Sequence, residues 1–419
     1  MKRALIITYY WPPTGGSGVQ RWVKFSKYLP KFGWQPVIYT PENPEQLAVD
    51  ESLLSDIPPC AEVIKTHISE PYDIYRRFSG RQKKEVNPIN SQKKGFKQRV
   101  SVWIRGNCFI PDPRVGWVRP SVNFLKKYLT EHPVDVVITT GPPQSMHLIG
   151  LGLKRALGVK WIADFRDPWT EMFYFKHLGL TKASEKRHRR LEKSVLDEAD
   201  TIISVTPLVQ KDFQKKTDTP VAMITNGFDQ SDFPERQRES DDLFKIVHTG
   251  LFAADGNPLL LWDVLAEMCS DDASFREALQ IRLAGKVDEE ILQAIRERGL
   301  GDNLVCLGYL EHEQTVSEQQ DASVLILPLR QEPEYAKVLP GKIFEYLAAR
   351  RPVLGIGQED GAAAAVLADA QAGAMFGWDR KDELKGFISE VRSGGRECSD
   401  GNIDKYSRET LTKALTEIL

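Results

Sequence analysis

Short runs of apolar, β-branched and aromatic residues alternate along the chain with longer segments of helical periodicity. Runs of this kind are typical of strands that are buried on both faces of a parallel sheet. Their alternation with helical segments predicts βαβ units. In the first half of the chain we predict strands at residues 4–9, 36–39, 62–66, 134–139, 161–165, 201–205 and 221–225.

The same pattern begins again after a polar, charged stretch at 231–242, which contains Pro234 and is predicted to be a linker. In the second half we predict strands at 245–249, 280–284, 304–307, 323–327, 353–356 and 374–376. The predicted fold class is therefore α/β, with two doubly wound, Rossmann-like domains facing a central cleft. Several strands end in glycine, including Gly250 and Gly308, and the carboxyl edge of such sheets is where ligands bind.

One segment of the second half, residues 339–354 (LPGKIFEYLAARRPVL), carries the most specific chemistry. Pro340 suits the first turn of a helix, so Gly341 and Lys342 are expected at the positive end of that helix, where a phosphate binds well. Glu345 follows about one turn later and can accept hydrogen bonds from the hydroxyls of a phosphorylated ribose. The spacing predicts a nucleotide-sugar site. The alternative is an ordinary amphipathic helix, because short motifs also occur by chance.

Two loops of the first half contain further candidate residues. The loop after the first predicted strand holds Gly15, Gly16, Ser17 and Gly18, but Arg21 stands where a dinucleotide fingerprint needs its third glycine, and no Walker A string is present. The loop after the fifth predicted strand holds three ionisable groups close together: Asp164, Arg166 and Asp167. We interpret this trio as contacts to an acceptor or sugar, with a purely structural Asp–Arg pair as the alternative.

Composition narrows the class of protein. The chain has 419 residues, of which 41% are hydrophobic and 27% charged, so we expect two or three ordinary globular domains. Its formal net charge of -2 gives no general argument for nucleic-acid binding, and its five scattered cysteines predict reduced thiols in the cytoplasm. The apolar run after Met1 is too short for a signal peptide and is interpreted as the first strand.

A strongly basic segment interrupts this even composition. From Arg76 to Gly106 there are ten Lys or Arg residues, the last of them Arg105, against one acidic residue, Glu85. Apolar residues such as Phe96 and Trp103 are interleaved with them. An anionic membrane surface attracts such a segment, and the rings would enter the headgroup layer. A solvated loop is the alternative, and RNA binding would need a recognition module that is not evident.

The motifs together resemble retaining glycosyltransferases of family 4. Many members carry a Pro-x-Lys-x-x-Glu-Tyr-Leu-Ala-type string followed by a Pro-Val strand, as at 339–354, and a hinge string similar to TNGFD at 225–229. The resemblance implies a GT-B fold. Residues 1–228 would bind the acceptor, residues 229–399 would bind the nucleotide-sugar donor, and residues 400–419, with a helix near 407–418, would pack back on the first domain.

The resemblance also implies roles for the candidate residues. Glu345 would bind the ribose, and Gly341, Lys342, Gly250 and Gly308 would line the donor site. The chain departs from the family at Lys337, where the common motif has a Glu that helps hold the donor sugar; Glu332 or Glu334 are candidates to replace it. The glycine loop would let acceptor and donor phosphate approach the first helix. Arg166 takes the place of a frequent His.

Retaining members of the family use no protein nucleophile, so the resemblance implies electrostatic catalysis. Lys342 would stabilise the leaving diphosphate with help from Arg330 or Lys337, and Asp167 would orient the acceptor. No Asp-x-Asp string occurs in the chain, so we expect neither a metal nor another cofactor. Because relatives often act on lipid-linked acceptors, we expect a cytoplasmic protein at the inner face of the membrane, acting on a lipid-linked or polysaccharide precursor. A sugar-nucleotide epimerase or an inactive sugar-nucleotide-binding protein remain alternatives.

Overall fold

The computed structural model describes residues 1–45, 49–70, 96–172, 175–234, 242–396, 398 and 402–419. It divides into two compact units, one made of Met1–Thr225 with Thr412–Leu419 and the other of Asn226–Leu411. The boundary thus falls three residues before the predicted one, and a shorter carboxyl-terminal segment than 400–419 returns to the first unit. The last helix spans Arg408–Thr416, and the backbone oxygen of Leu419 accepts a hydrogen bond from Lys160 at 2.7 Å.

The first unit is built on a seven-stranded parallel sheet with the strand order β3-β2-β1-β4-β5-β6-β7. The strands are β1 Lys2–Ile7, β2 Trp34–Pro41, β3 Glu62–Thr66, β4 Val136–Gly141, β5 Trp161–Phe165, β6 Thr201–Ser204 and β7 Val221–Met223. The helices described in this unit are α1 Ser17–Tyr28, α2 Phe96–Cys108, α3 Val115–Glu131, α4 Ser145–Leu157, α5 Lys182–Glu198 and α6 Pro207–Gln214.

The second unit contains a six-stranded parallel sheet with the strand order β10-β9-β8-β11-β12-β13. Its strands are β8 Phe244–Thr249, β9 Leu279–Ala284, β10 Leu304–Gly308, β11 Val324–Pro328, β12 Val353–Ile356 and β13 Gly373–Phe376. Its described helices are α7 Leu259–Asp271, α8 Ala273–Ala278, α9 Glu289–Glu297, α10 His312–Asp321, α11 Lys342–Ala348, α12 Ala362–Asp369 and α13 Lys381–Arg392, and α14 Arg408–Thr416 follows across the unit boundary.

Burial on both faces of each sheet explains why these segments form strands. In β4 every residue is buried, and in β8 consecutive residues enter different cores, with Ile246 packing into one apolar cluster and Val247 into another. Because successive side chains of a strand point to opposite faces, each face needs its own apolar layer, which the helices supply. The predicted fold class, two doubly wound parallel α/β domains, is confirmed.

The strand order fixes where a ligand site belongs in each unit. In the first sheet the order reverses between the neighbouring strands β1 and β4, and in the second between β8 and β11. Open sheets of this kind bind ligands at the carboxyl ends of the strands beside such a switch point. The loops that follow β1, β4, β8 and β11 are therefore the segments of interest.

Candidate functional site

The side chain of Lys342 lies at the switch point of the second unit. The residue begins α11, with Gly341 as its N-cap, and its Nζ donates to Nε2 of His248 at 3.2 Å and to the carbonyl of Leu251 at 3.4 Å. Gly250 has a φ of 97°, and a Cβ there would lie 3.4 Å from the same Nζ. Two predicted donor-site residues from distant parts of the chain, Gly250 and Lys342, are thus brought together.

The Lys342 amine is a partly exposed cation whose hydrogen-bond partners are neutral. Burial lowers its pKa to about 8, against the opposing charge of Glu345. Among the described residues no carboxylate forms an ion pair with it. Such an amine favours an anionic ligand, because the ligand would supply the counter-charge that the protein does not.

His248 orients this amine, a role that the sequence did not suggest for an isolated histidine. Its Nδ1 lies 3.2 Å from the carbonyl of Ile326, and its Nε2 lies 3.2 Å from Nζ of Lys342 and 3.4 Å from the carbonyl of Leu251. Because an ammonium group can only donate, a neutral ring that accepts from Lys342 at Nε2 carries its proton on Nδ1. Burial, followed by the charge of Lys342, lowers the pKa of His248 to about 3, which keeps the ring neutral. The only available signal was its position, two residues before the strand-end glycine.

Glu345 is held one turn after Lys342 on the same face of α11. Its Oε2 accepts from Nε2 of Gln319 at 3.2 Å, and the same Nε2 also donates to Oγ1 of Thr249 at 2.9 Å. Gln319 is buried, whereas Glu345 remains partly exposed. The carboxylate is therefore fixed in place with acceptor capacity to spare. Gln319, on α10, gave no signal in the sequence.

The strand-end glycines also meet at this edge. The amide of Gly285 donates to the carbonyl of Gly308 at 2.6 Å, and a Cβ on Gly285 would lie only 2.5 Å from the carbonyl oxygen of Gly250. All three glycines have positive φ, at 97° for Gly250, 102° for Gly285 and 65° for Gly308. Only glycine fits comfortably at the middle position, so the close packing of the three loops depends on it.

Arg330 and Lys337 lie in the loop between β11 and α11. Arg330 forms a 2.9 Å ion pair with Asp255, and its guanidinium lies over the ring of Tyr335 at 5.1 Å from the centroid. Its charge is therefore already paired with a carboxylate, unlike that of Lys342. Lys337 ends a short 3₁₀ turn, Pro333–Lys337, and is partly exposed.

In the first unit, Arg166 ties the glycine loop to the end of β4. Its Nη1 donates to the carbonyl of Gly18 at 2.8 Å, and its Nε to the carbonyl of Gly141 at 3.3 Å; it also bonds the carbonyl of Pro142. A Cβ on Gly18 would lie 2.6 Å from the same Nη1, so glycine is required for this contact. Gly15 and Gly16 lie further out on the loop, and the helix α1 begins at Ser17.

The two aspartates beside Arg166 have different surroundings. Asp164 is fully buried and binds Arg21, Trp22 Nε1 and Thr140 Oγ1. Burial alone would raise the pKa of Asp164, but the Arg21 charge and these hydrogen bonds outweigh it and hold the pKa below its usual value. Asp164 is therefore a structural anchor and not the ligand contact we predicted, because its carboxylate is enclosed by the protein.

Asp167 is the better candidate of the pair for contact with a ligand. It is partly exposed, and it has no hydrogen-bond partner among the described residues. Burial raises the pKa of Asp167 despite the neighbouring charge of Arg166. Its carboxylate thus lies beside the Arg166 loop, at the carboxyl edge of the first sheet, with its acceptor atoms unused.

The described residues bear only in part on the predicted membrane-binding segment and on the expected absence of a metal. Most of the basic segment from Arg76 to Arg105 lies outside the described residues, since 71–95 are not among them. In the described part of the chain, no three or more His, Cys, Asp or Glu side chains are arranged to hold a metal ion. No helix of the described residues is long and apolar enough to span a bilayer.

Two parallel-sheet, Rossmann-like domains form the GT-B fold, which solved glycosyltransferase structures share. The chain belongs to glycosyltransferase family 4, whose model matches residues 16–232, and a model for glycosyl transferases group 1 matches residues 244–392. It is therefore a glycosyltransferase, as the sequence motifs predicted. No curated protein sequence matches the chain.

Solved structures show the same fold at low sequence identity. Sucrose-phosphate synthase from Thermosynechococcus elongatus has a TM-score of 0.63 and 14% identity over 100% of this chain and 98% of that one. A mutant of TarM from S. aureus, in complex with fondaparinux, α-GlcNAc-glycerol and UDP, has a TM-score of 0.56 and 12% identity over 100% and 99%. A putative UDP-N-acetylglucosamine 2-epimerase from Listeria monocytogenes has a TM-score of 0.52 and 10% identity over 99% and 94%.

Proposed function

We propose that the protein transfers a sugar, with retention of anomeric configuration, from a nucleoside-diphosphate sugar to an acceptor hydroxyl. The observation that carries the proposal is the Lys342 amine: a partly exposed cation whose hydrogen-bond partners are neutral, at the switch point of the second unit and one turn from Glu345. The pair fits the two ends of a ribose diphosphate, with the amine on the phosphate and the carboxylate on the ribose hydroxyls.

In the proposed reaction the bond between the anomeric carbon and the diphosphate oxygen breaks as the acceptor oxygen forms its bond to the same carbon. The acceptor's proton passes to the departing diphosphate, so no protein nucleophile is needed. Lys342 stabilises the charge that develops on the leaving oxygen. Arg330, already paired with Asp255, is a weaker helper than the sequence suggested.

In this proposal the acceptor binds to residues of the first unit. Arg166 positions the glycine loop, and Asp167 offers a carboxylate that accepts a hydrogen bond from the attacking hydroxyl. The acceptor is proposed to be a glycan or lipid-linked precursor, supported by the TarM complex, which contains UDP and α-GlcNAc-glycerol. A lipid-linked acceptor would place the reaction at a membrane surface.

A panel of UDP-, GDP-, ADP- and dTDP-sugars tests the proposal. We expect one donor to raise the thermal unfolding temperature and to be hydrolysed slowly to the free nucleotide when no acceptor is present. Binding without release of nucleotide, even with lipid-linked acceptors added, would favour an inactive binding protein, which the departure at Lys337 would explain. Conversion of the sugar moiety while it remains attached to the nucleotide would favour an epimerase instead.

Substitution of Glu345 by Gln is expected to weaken nucleotide binding about tenfold to a hundredfold, because a hydrogen bond to a charged acceptor contributes roughly 1.5–3 kcal/mol. The unfolding temperature should change little, since Glu345 is partly exposed. Titration calorimetry with the nucleotide measures the effect. Glu297→Gln is the matched control, because Glu297 also accepts from a glutamine, Gln293, but on the exposed face of α9. Equal affinities in the two variants would remove Glu345 from the ribose site.

We also propose that transfer requires no metal ion. Metal-dependent enzymes of this kind hold a divalent cation against the diphosphate with paired aspartates, and the chain has no Asp-x-Asp string. Treatment with EDTA should therefore leave the initial rate of nucleotide release unchanged. A loss of rate that Mg²⁺ or Mn²⁺ restores would contradict this expectation.

A further inference from the structure

The helix α2 turns an apolar stripe outward. Val100, Trp103 and Ile104 are exposed by 40%, 46% and 41%, and their i, i+3, i+4 spacing places them on one face of the helix. Single exposed apolar residues are common. Three adjacent ones that include a tryptophan form an exposed apolar patch, and such patches often mark an interaction surface. We refer to these three residues as the apolar face of α2.

The carboxyl-terminal half of α2 packs on the first unit. Val102 is buried, and Gly106 lies so close to the loop that follows the 3₁₀ turn Phe175–Leu178 that a Cβ on it would be 2.8 Å from the side chain of Leu180. Asn107 donates to the carbonyl of Gly179 at 3.2 Å and accepts from the amide of Thr181 at 2.8 Å. Val102 and Gly106 thus pack on the first unit and leave Val100 and Ile104 exposed, with Trp103 at the edge of the packed side.

A basic surface adjoins this face. Thr181 is the N-cap of α5, and Trp103 lies against Gly179, two residues earlier. The first nine residues of α5 contain five exposed basic side chains: Lys182, Lys186, Arg187, Arg189 and Arg190. Among the described residues, only Arg189 of these five forms an ion pair, with Glu185 at 2.9 Å. The nine residues span only about 12 Å, so the charge is dense beside the apolar face.

We propose that the apolar face of α2, with the basic first half of α5, is a docking surface for an anionic lipid bilayer. Tryptophan and branched aliphatic side chains enter the boundary between headgroups and acyl chains, while unpaired Lys and Arg side chains are attracted to anionic lipid. A nucleic acid would use the charges but would leave the aliphatic residues Val100 and Ile104 without a partner. The bilayer accounts for both features.

Co-sedimentation of the full-length protein with vesicles tests the proposal. We expect binding to phosphatidylcholine vesicles that contain a third of phosphatidylglycerol, and much weaker binding to pure phosphatidylcholine or at high salt. The double variant Trp103→Ser/Ile104→Ser should lower the partition coefficient about tenfold or more. The reason is that the variant no longer buries in the bilayer the exposed apolar surface of these two side chains, roughly half of each. Lys186→Glu and Arg190→Glu should each lower it about fivefold or more.

Matched variants separate docking from general effects. Leu157→Ser removes an apolar side chain that is 39% exposed on α4, and Lys126→Glu with Lys127→Glu reverses exposed charges on α3; neither should change binding. Fluorescence quenching by lipids brominated in the acyl chain should occur in the wild type and be largely lost in Trp103→Phe, which preserves the fold. No vesicle binding, equal losses in the control variants, or unchanged quenching in Trp103→Phe would each overturn the proposal.

Discussion

Replacing Lys342 by Met is expected to lower kcat by about 10²–10³-fold, with a smaller change in KM for the donor. Methionine retains the volume of the side chain but removes the charge that balances the leaving diphosphate, and the loss of one preorganised donor to a developing anion has an effect of this size. Steady-state rates of nucleotide release, with and without acceptor, measure it. Equal losses in kcat/KM and in nucleotide affinity, with kcat unchanged, would instead make Lys342 a simple binding group.

The pH profile gives an independent reading of the same residue. Since burial lowers the pKa of Lys342 to about 8 in the enzyme without donor, its positive charge is lost as the pH rises through that value. The kcat/KM for the donor should therefore fall above about pH 8. Lys342→Arg stays protonated throughout, so its profile should lack that fall even if its absolute rate is low. A wild-type profile that stays level up to pH 10 would contradict the assignment.

Asp164→Asn is expected to destabilise the first unit by about 3–5 kcal/mol, because it leaves the fully buried Arg21 without its counter-charge. The isosteric amide preserves packing, so the loss reports the ion pair and its hydrogen bonds. Arg21 also donates to the carbonyls of Ile224 and Thr225, which couples the pair to the end of the unit. Urea unfolding, followed at the transition of the first unit, measures the change.

An exposed pair supplies the control for this expectation. Glu185→Gln removes the partner of Arg189 on the surface of α5, where such pairs contribute about 0.5 kcal/mol or less. The double variant Arg21→Met/Asp164→Leu should recover part of the loss, because an apolar pair leaves no unpaired charge in the interior. An unfolding midpoint for Asp164→Asn equal to that of Glu185→Gln would show that Asp164 is not the anchor described above.

The strands can be predicted from the sequence because burial on both faces of the sheet requires a continuous run of apolar residues. A strand such as β5, Trp161–Phe165, is buried along its whole length, so nearly every residue must be apolar and the run is visible without an alignment. The ends of the strands do not follow from the apolar runs alone. For β1 the run of apolar and aromatic residues continues through Tyr9, but the strand ends at Ile7, and among the described residues only the amide of Thr8 makes a further backbone hydrogen bond to β2, to the carbonyl of Tyr39 at 3.0 Å.

In the candidate site, too, some features follow from the local sequence and others depend on distant residues. Lys342 and Glu345 are one helical turn apart, so their shared face follows from local geometry. The partners that set their chemistry come from elsewhere in the chain: His248 from β8 and Gln319 from α10. The same holds for Asp164, because its partner Arg21 is 143 residues away in sequence and nothing near Asp164 in the sequence indicates that the pair is buried. Contacts across the fold decide which of the predicted polar residues remain accessible.

The neutral surroundings of Lys342 have a consequence for turnover. A nucleoside diphosphate that has lost its sugar carries an additional negative charge near its terminal phosphate, so an amine without a carboxylate partner attracts it more strongly than the intact donor. The feature that assists departure of the leaving group therefore also retains it. We therefore expect the free nucleoside diphosphate to inhibit the enzyme competitively against the sugar donor.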